Sequence, residues 1–313
     1  MSAVTVFGCD PEEAALAQRL GPRLGLHVTL TSAPASAATA ALAASRPCIS
    51  VDHRTTLDRA DLEALAAAGV RLVSTRSIGT DHIDLAHAER LGIEVGNVQY
   101  APDGVADYTV MLILMVLRHA GATLRRSAVH DYRAGPRGRE LRDLTVGVVG
   151  AGRIGSAVAA RLRGFGCRVR TADREAGDRL DDLLRVSDVV TLHTPLDPST
   201  RHLLDARRIG LLRPGACVVN TGRGPLLDTA ALLAALEDGR LGGAALDVVE
   251  GEERVFHTAH DHPPGERWAR LQRLPNVVLT PHTAYATDRA LHATVEHSLI
   301  HCAEFAKETA WTG

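Results

Sequence analysis

One stretch, Asp143 to Gly155, limits this chain more than any other. Thr145 to Val149 is a short apolar run that reads as a strand, and Gly150, Gly152 and Gly155 follow it in G-x-G-x-x-G spacing. Gly150 permits a tight turn, Gly152 lets backbone approach a pyrophosphate, and Gly155 lets a helix pack closely on the strand. The helix start then offers free N–H groups and a positive dipole end to phosphates. A chance glycine-rich turn is the plain alternative, and context decides against it. A helix is predicted over Ser156 to Phe165, then a strand over Arg168 to Ala172 that ends in Asp173. That acid lies 173 − 150 = 23 positions after the first glycine, near the ~20 expected for a residue that bonds the ribose hydroxyls. The stretch reads as a dinucleotide site.

The rest of the pattern says what surrounds it. Strands are predicted at Ser187 to Leu192, Ala216 to Asn220, Gly243 to Val248 and Val277 to Thr280, with helices over Leu180 to Arg185, Ala206 to Leu211 and Thr229 to Glu237, the last stopped by Gly239. With the first two strands these form a doubly wound parallel sheet. Upstream, strands at Ala3 to Phe7, Val28 to Thr31, Cys48 to Val51 and Arg71 to Thr75 alternate with helices. The helices are placed at Pro11 to Leu24 (capped by Asp10), Ala35 to Ala44 and Arg59 to Ala68. This alternation is a second parallel α/β unit. Its first turn, Gly8-Cys9-Asp10, lacks the phosphate fingerprint, so it is the natural substrate domain. Tyr100-Ala101-Pro102 reads as a hinge, Asp103 to His119 as an apolar helix buried between domains, and Arg125 to Arg139 as a charged connection.

Composition removes other classes. The net charge of −2 over 313 residues offers no basic excess for nucleic acid or a membrane surface. The longest apolar run, Val110 to Leu117, is too short to span a bilayer, and the N-terminus lacks a signal-peptide pattern. The five scattered cysteines have no C-x-x-C spacing and read as reduced thiols in a cytoplasmic setting. His257, His260 and His262 match no structural zinc pattern, so no metal is expected. Ser77, Ser187 and Cys167 lack a nucleophile elbow, which argues against a hydrolase.

Ligands of open α/β sheets bind outside the carboxyl ends of the strands. The polar residues there are His193-Thr194-Pro195, Asn220 to Pro225 with Arg223, Asp247 with Glu250, Glu252 and Glu253 beyond, and Pro281-His282-Thr283-Ala284-Tyr285. An arginine, a carboxylate and a histidine thus share the edge that carries the glycine turn. A nicotinamide beside a 2-keto acid uses such a trio. An arginine fork holds the carboxylate and polarises the carbonyl, a histidine supplies the proton, and a carboxylate orients the imidazole. Each also has a plain reading: Arg223 as a loop cap, Glu252 within a solvated charged loop beside Arg254, His282 as a satisfied loop histidine. The glycine of Ser77-Ile78-Gly79-Thr80 is either an anion-binding turn or an ordinary left-handed one.

In order along the chain, Ser77 to Asp84, Gly150 to Gly155, His193 to Leu196, Asn220 to Gly224, Ala245 to Val248 with Glu252, and Pro281-His282-Thr283 resemble the D-isomer-specific 2-hydroxyacid dehydrogenases. The resemblance runs from the Ser77 turn to the C-terminal region. Ser74 to Gly79, Ala106 to Thr109, Leu241 to Glu252 and Leu274 to Tyr285 look most like D-lactate dehydrogenases of the VanH type, which supply D-lactate for D-Ala-D-Lac peptidoglycan precursors in glycopeptide resistance. The resemblance implies two Rossmann-like or flavodoxin-like α/β domains with the active site in the inter-domain cleft: residues 1–101 plus 283–313 for substrate, and 102–282 for NAD. It implies that Arg223 binds and polarises the keto acid, His282 is the acid/base and Glu252 its partner. The Ile78 and Gly79 amides would hold the substrate carboxylate, and Tyr100 and Tyr285 would line the pocket. Cofactor contacts would come from Gly150, Gly152, Arg153, Ile154, Gly155, Asp173, His193, Thr194, Pro195, Thr200, Thr221, Gly222 and Asp247. A carboxylate at 173 favours NADH over NADPH, with some room left by Arg174. A homodimer through the cofactor domain is implied too. The expected reaction is reduction of pyruvate to D-lactate; larger or branched keto acids, or a non-catalytic NAD(H)-sensing protein, are the alternatives.

Overall fold

The computed structural model describes residues 2–173, 179–252, 255–256 and 265–311. Arg174, Glu253, Arg254, His257, His260 and His262 lie outside the described residues. The chain divides into two compact units, Met1–Ala101 with Ala286–Gly313, and Pro102–Tyr285.

The first unit is a five-stranded parallel sheet of β1 (Ser2–Val6), β2 (Leu26–Leu30), β3 (Cys48–Val51), β4 (Leu72–Thr75) and β5 (Glu94–Asn97), in the order β2-β1-β3-β4-β5. Helices α1 (Pro11–Leu20), α2 (Arg59–Ala67) and α3 (Leu85–Arg90) connect the strands. Asp10 caps α1 in a reciprocal box: its carboxylate accepts from the Glu13 amide at 2.8 Å, and Glu13 accepts from the Asp10 amide at 3.1 Å. Two departures from the sequence pattern stand out. The alanine run over residues 35–44 forms only a short 3₁₀ turn, Ala40–Ala43. Thr39 Oγ1 accepts from the Ser36 amide and donates to Pro34 O, and Asp61 takes the Ala37 amide, so local side chains satisfy backbone groups that a helix would have used. Helix α3 and strand β5 fall in a stretch that showed no clear periodicity.

The C-terminal helix α11 (Asp288–Trp311) packs onto this same unit. Val295, Leu299, Cys302 and Ala303 bury against Val4, Val6, Cys48 and Leu72. At the carboxyl ends of the strands sits a buried ion pair. The Arg76 guanidinium, 1% exposed, meets Glu13 Oε1 at 2.9 Å. It also donates to Ser50 Oγ at 3.0 Å and to Phe7 O at 2.9 Å, while Ser50 bonds Ser298 of α11 at 2.7 Å.

The second unit is a six-stranded parallel sheet of β6 (Thr145–Val149), β7 (Arg168–Ala172), β8 (Val189–Leu192), β9 (Ala216–Asn220), β10 (Leu241–Leu246) and β11 (Val277–Leu279), in the order β11-β10-β9-β8-β6-β7. In order of appearance this is 2-1-3-4-5-6, the flavodoxin-like arrangement with one more strand, and the first unit is wired the same way. Helix α4 (Asp103–Leu117) packs its Ala106, Leu112, Ile113 and Val116 against Val146, Val148, Val158 and Leu162. Helix α5 (Ala120–Ala128) occupies part of the stretch expected to be a connection. Around the sheet follow α6 (Arg153–Arg163), α7 (Leu180–Val186), α8 (Ala206–Leu211), α9 (Thr229–Glu237) and α10 (Glu266–Arg273). All five cysteines are buried thiols. No single helix among the described residues is long and apolar enough to cross a membrane.

The ion pair generates a prediction. Removing one partner leaves a buried charge uncompensated, which costs about 3–5 kcal/mol. Glu13→Ala should therefore lower the urea midpoint of the first unit's unfolding by that equivalent, whereas Glu12→Ala, on an exposed position, should leave it within experimental error.

Candidate active site

The glycine turn is built by close approach. Gly150 has φ +91°, and a Cβ on it would lie 2.7 Å from the carbonyl carbon and oxygen of His193. A Cβ on Gly155 would lie 1.9 Å from Gly150 O, whereas one on Gly152 would meet open space. Gly150 and Gly155 thus serve the packing, and Gly152 keeps a space clear. Helix α6 starts at Arg153, earlier than expected, with Gly152 as its cap and no side chain on the first amides. Arg153, Ile154 and Gly155 therefore form its first turn, where the helix dipole and the backbone N–H groups favour a phosphate. Asp173 sits at the turn, its carboxylate accepting from the Ala151 amide at 2.6 Å.

Beside the turn, at the end of β8, lies His193-Thr194-Pro195. Thr194 Oγ1 is buried and bonds no protein group among the described residues. Such an atom is costly unless a ligand or water meets it. With the space beside Gly152 and the helix start at Arg153, it fits a bound dinucleotide. The His193 imidazole lies 2.9 Å from Thr191 Oγ1, and burial pushes its pKa down to about 4. The ring is neutral at ordinary pH. Thr200 donates to Pro195 O at 2.8 Å and closes the loop that follows.

The end of β9 makes the arginine turn. Asn220 holds it at both ends, accepting from the Gly222 amide at 3.0 Å and donating to Arg223 O at 2.8 Å. Thr221 is buried, and its hydroxyl meets Thr109 of α4 at 2.9 Å. The half-buried Arg223 donates to Gly222 O at 2.9 Å. A Cβ on the next residue, Gly224, would lie 2.3 Å from the carbonyl carbon of Val249. The arginine turn is therefore pressed against the turn that carries Glu252.

Glu252 and His282 meet directly, Oε1 to Nδ1, at 2.7 Å. The other Glu252 oxygen accepts from the Val249 amide at 2.5 Å, which fixes the carboxylate. His282 sits at φ +53°, strained for a residue with a side chain. Asp247, fully buried at the end of β10, holds it there. Its backbone oxygen accepts from the His282 amide at 2.8 Å, and its carboxylate accepts from Thr280 Oγ1 at 2.5 Å and from the Thr283 and Ala284 amides at 3.0 and 2.8 Å. The Asp247 side chain thus serves this loop. Tyr285 stands edge-on to His282 with ring centres 6.0 Å apart.

In the first unit, Ile78 and Gly79 follow β4. Gly79 is not in the left-handed region, so the turn is not an αL turn. Ser77 Oγ donates to Gly79 O at 2.7 Å, and Asn97 donates to Ile78 O at 2.6 Å, so side chains brace the carbonyls of this loop. Tyr100 is half-buried in the same unit. One strand end escaped the sequence reading. After β3, Asp52 accepts from Arg54 and from Thr55, whose hydroxyl lies at 2.6 Å, and it fills the space beside Gly8. The strand-end rule, applied there too, would have found it.

Comparison with known proteins agrees with this geometry. The family described as D-isomer specific 2-hydroxyacid dehydrogenase, NAD binding domain, matches residues 110–284. A D-specific alpha-keto acid dehydrogenase of Enterococcus faecalis is 50% identical over 313 aligned residues, covering 96% of each chain. The pyruvate reductase of Chlamydomonas reinhardtii superimposes with a TM-score of 0.88 at 31% identity, over 98% of this chain and 97% of that one. A D-lactate dehydrogenase of Aquifex aeolicus, solved with NAD and lactic acid, gives 0.84 at 30% identity, over 97% and 96%. The chain belongs to the D-isomer-specific 2-hydroxyacid dehydrogenase family. It is an NAD-dependent oxidoreductase of the 2-hydroxyacid class, and its NAD-binding domain lies within Pro102–Tyr285. When bound, the nicotinamide supplies or accepts the hydride.

Two outcomes follow for this site. Gly155→Ala forces a Cβ onto backbone, an overpacking cost of ~1–3 kcal/mol; NADH affinity, read by fluorescence titration, should fall roughly tenfold or more. His193 binds a proton in the unfolded chain below its ordinary 6.5 but in the folded chain only below about 4. Its contribution is complete above pH 6.5 and is lost as pH falls toward 4. The unfolding midpoint should drop across that window, and His193→Asn should flatten the drop.

Proposed function

We propose that this enzyme reduces pyruvate, and other small 2-keto acids, to D-lactate and the corresponding D-2-hydroxy acids with NADH. One observation carries the reading: Glu252, bonded to His282, stands on a turn packed against the Arg223 turn, at the sheet edge that holds the glycine turn. In this reading Arg223 grips the substrate carboxylate and polarises the ketone. The hydride arrives at the carbonyl carbon, and His282, protonated and held by Glu252, gives its proton to the oxygen. The Ile78 and Gly79 amides take the substrate carboxylate, and Tyr100 and Tyr285 bound the space for its side chain. Residues of the Met1–Ala101 and Ala286–Gly313 unit serve as the substrate domain.

Further proposals rest on narrower support. Asp173 beside the Ala151 amide disfavours a 2′-phosphate, which supports NADH over NADPH. The VanH-like stretches support supply of D-lactate to D-Ala-D-Lac cell-wall precursors, and thus a part in vancomycin resistance, in the cytoplasm; the E. faecalis relative supports a D-specific keto-acid activity. Leu124, Val129 and Tyr132 are 63%, 73% and 76% exposed on and just after α5. Apolar side chains gathered there support a homodimer through the cofactor domain.

The test is NADH oxidation with pyruvate, 2-ketobutyrate and 2-ketoisocaproate. Pyruvate should be turned over best, and a preference for the branched acid would replace lactate by a larger product. His282→Ala should lower kcat by about 10²–10⁴ while NADH binding stays intact. Turnover retained in that variant would overturn the assignment of the proton donor.

A further inference from the structure

Glu250 stands two residues before Glu252 and takes no part in the chemistry proposed above. Its carboxylate is nevertheless the centre of a charged knot. Oε1 accepts from Arg201 Nη2 at 2.7 Å and lies 2.9 Å from His202 Nε2, while Oε2 is 3.8 Å from Arg267 Nη1 of α10. Glu250 is 19% exposed, against 56% for Arg201, 35% for His202 and 47% for Arg267. Two arginines and a histidine fold down over a sheltered acid.

The partners come from a loop that is itself braced. Thr200 and Arg201 amides both donate to Asp197 O at 3.0 Å, and Thr200 ties back to Pro195. His202 sits at φ +49°, and its amide donates to Pro225 O at 2.7 Å. Leu204 bonds Leu226 O at 3.0 Å and bridges Leu227. The 197–204 loop therefore grips the Arg223-Gly224-Pro225 turn by its backbone and the Glu250 turn by a side chain. The two turns also touch directly, because Gly224 admits the Val249–Glu250 peptide at van der Waals distance. A left-handed histidine is strained, and such strain is held only where the surroundings over-determine it. Here the Glu250 carboxylate and Pro225 O supply that hold from opposite ends of the residue.

We propose that Glu250 is a positioning residue: clasped by Arg201 and His202, it fixes the register of the Glu252 turn against the Arg223 turn, and so sets the Glu252–His282 contact. This rests on the reading of Glu252 and His282 given above. Glu250 touches neither substrate nor cofactor in this account. It acts through Glu252. The groups seen to meet His282 include Glu252 on Nδ1, Tyr285 at the ring edge, and Asp247 through the backbone. Its loss should reach the imidazole only by releasing Glu252.

The experiment compares Glu250→Ala, Glu252→Gln and the double variant in steady-state pyruvate reduction across pH, with NADH affinity by fluorescence. Glu250→Ala should lower kcat/KM for pyruvate about tenfold, the equivalent of ~1.4 kcal/mol. NADH affinity should stay within twofold, and the alkaline limb of the profile should move to lower pH, in the direction set by Glu252→Gln. The double variant should fall little below Glu252→Gln alone, since the two act on one contact. Arg201→Ala should show the same shift in weaker form. A wild-type profile in Glu250→Ala, or full additivity in the double variant, overturns the proposal. Should Glu250→Ala lose NADH binding through misfolding, Glu250→Gln decides by the same two readouts. A wild-type profile in Glu252→Gln is the distinct result that defeats the Glu252–His282 reading itself, and the Glu250 proposal falls with it.

Discussion

A single buried carboxylate governs the geometry of this enzyme's second unit. Asp247 has no exposed surface, yet its oxygens and its backbone meet four groups of the segment from Thr280 to Ala284. A buried polar group is tolerated only when its hydrogen-bonding capacity is met, so the segment must wrap around it. Wrapping places His282 at a left-handed φ that it would not adopt in a free loop. The strain is local and small beside what holds it. Its product is an imidazole aimed at Glu252 from an otherwise irregular stretch of chain.

Much of this was legible in the sequence, and the reasons differ by element. Two strands of the second unit, Thr145–Val149 and Ala216–Asn220, are fully buried runs, and their bounds match the pattern because nothing else competes for such residues; β7 alternates between exposed and more buried positions, and β10 starts two residues earlier than expected. The alanine run near residue 40 misled, because helix propensity is a weak prior against Thr39, Ser36 and Asp61, which take the backbone bonds first. Helix α6 begins before Gly155, since glycine at a helix start is chosen for contact with the strand and not for ending a turn.

The candidate site positions were legible at the level of strand ends, and less so at the level of contacts. Arg223, Glu252 and His282 could be named because each residue type suits one step of a ketone reduction. That Gly224 lets their turns touch could not be read from a glycine in a loop. Nor could the internal use of Thr221 and Asp247, whose polar atoms bond protein groups distant in sequence. Hydroxyls and carboxylates look alike in a sequence whether they face a ligand or a buried amide.

The two units share one wiring but differ in how they are cut from the chain. The second is continuous from Pro102 to Tyr285, while the first waits for α11. Until that helix is made, Val4, Val6, Cys48 and Leu72 lack the apolar cover that Val295, Leu299 and Cys302 supply. On a ribosome, the unit synthesised first is therefore the unit completed last. Its open sheet face must be kept from aggregation for the whole time that the second unit is being translated and folded. The cost of placing α11 on the first sheet is a period of exposure, and its return is a first unit that is completed only on chains translated past that helix.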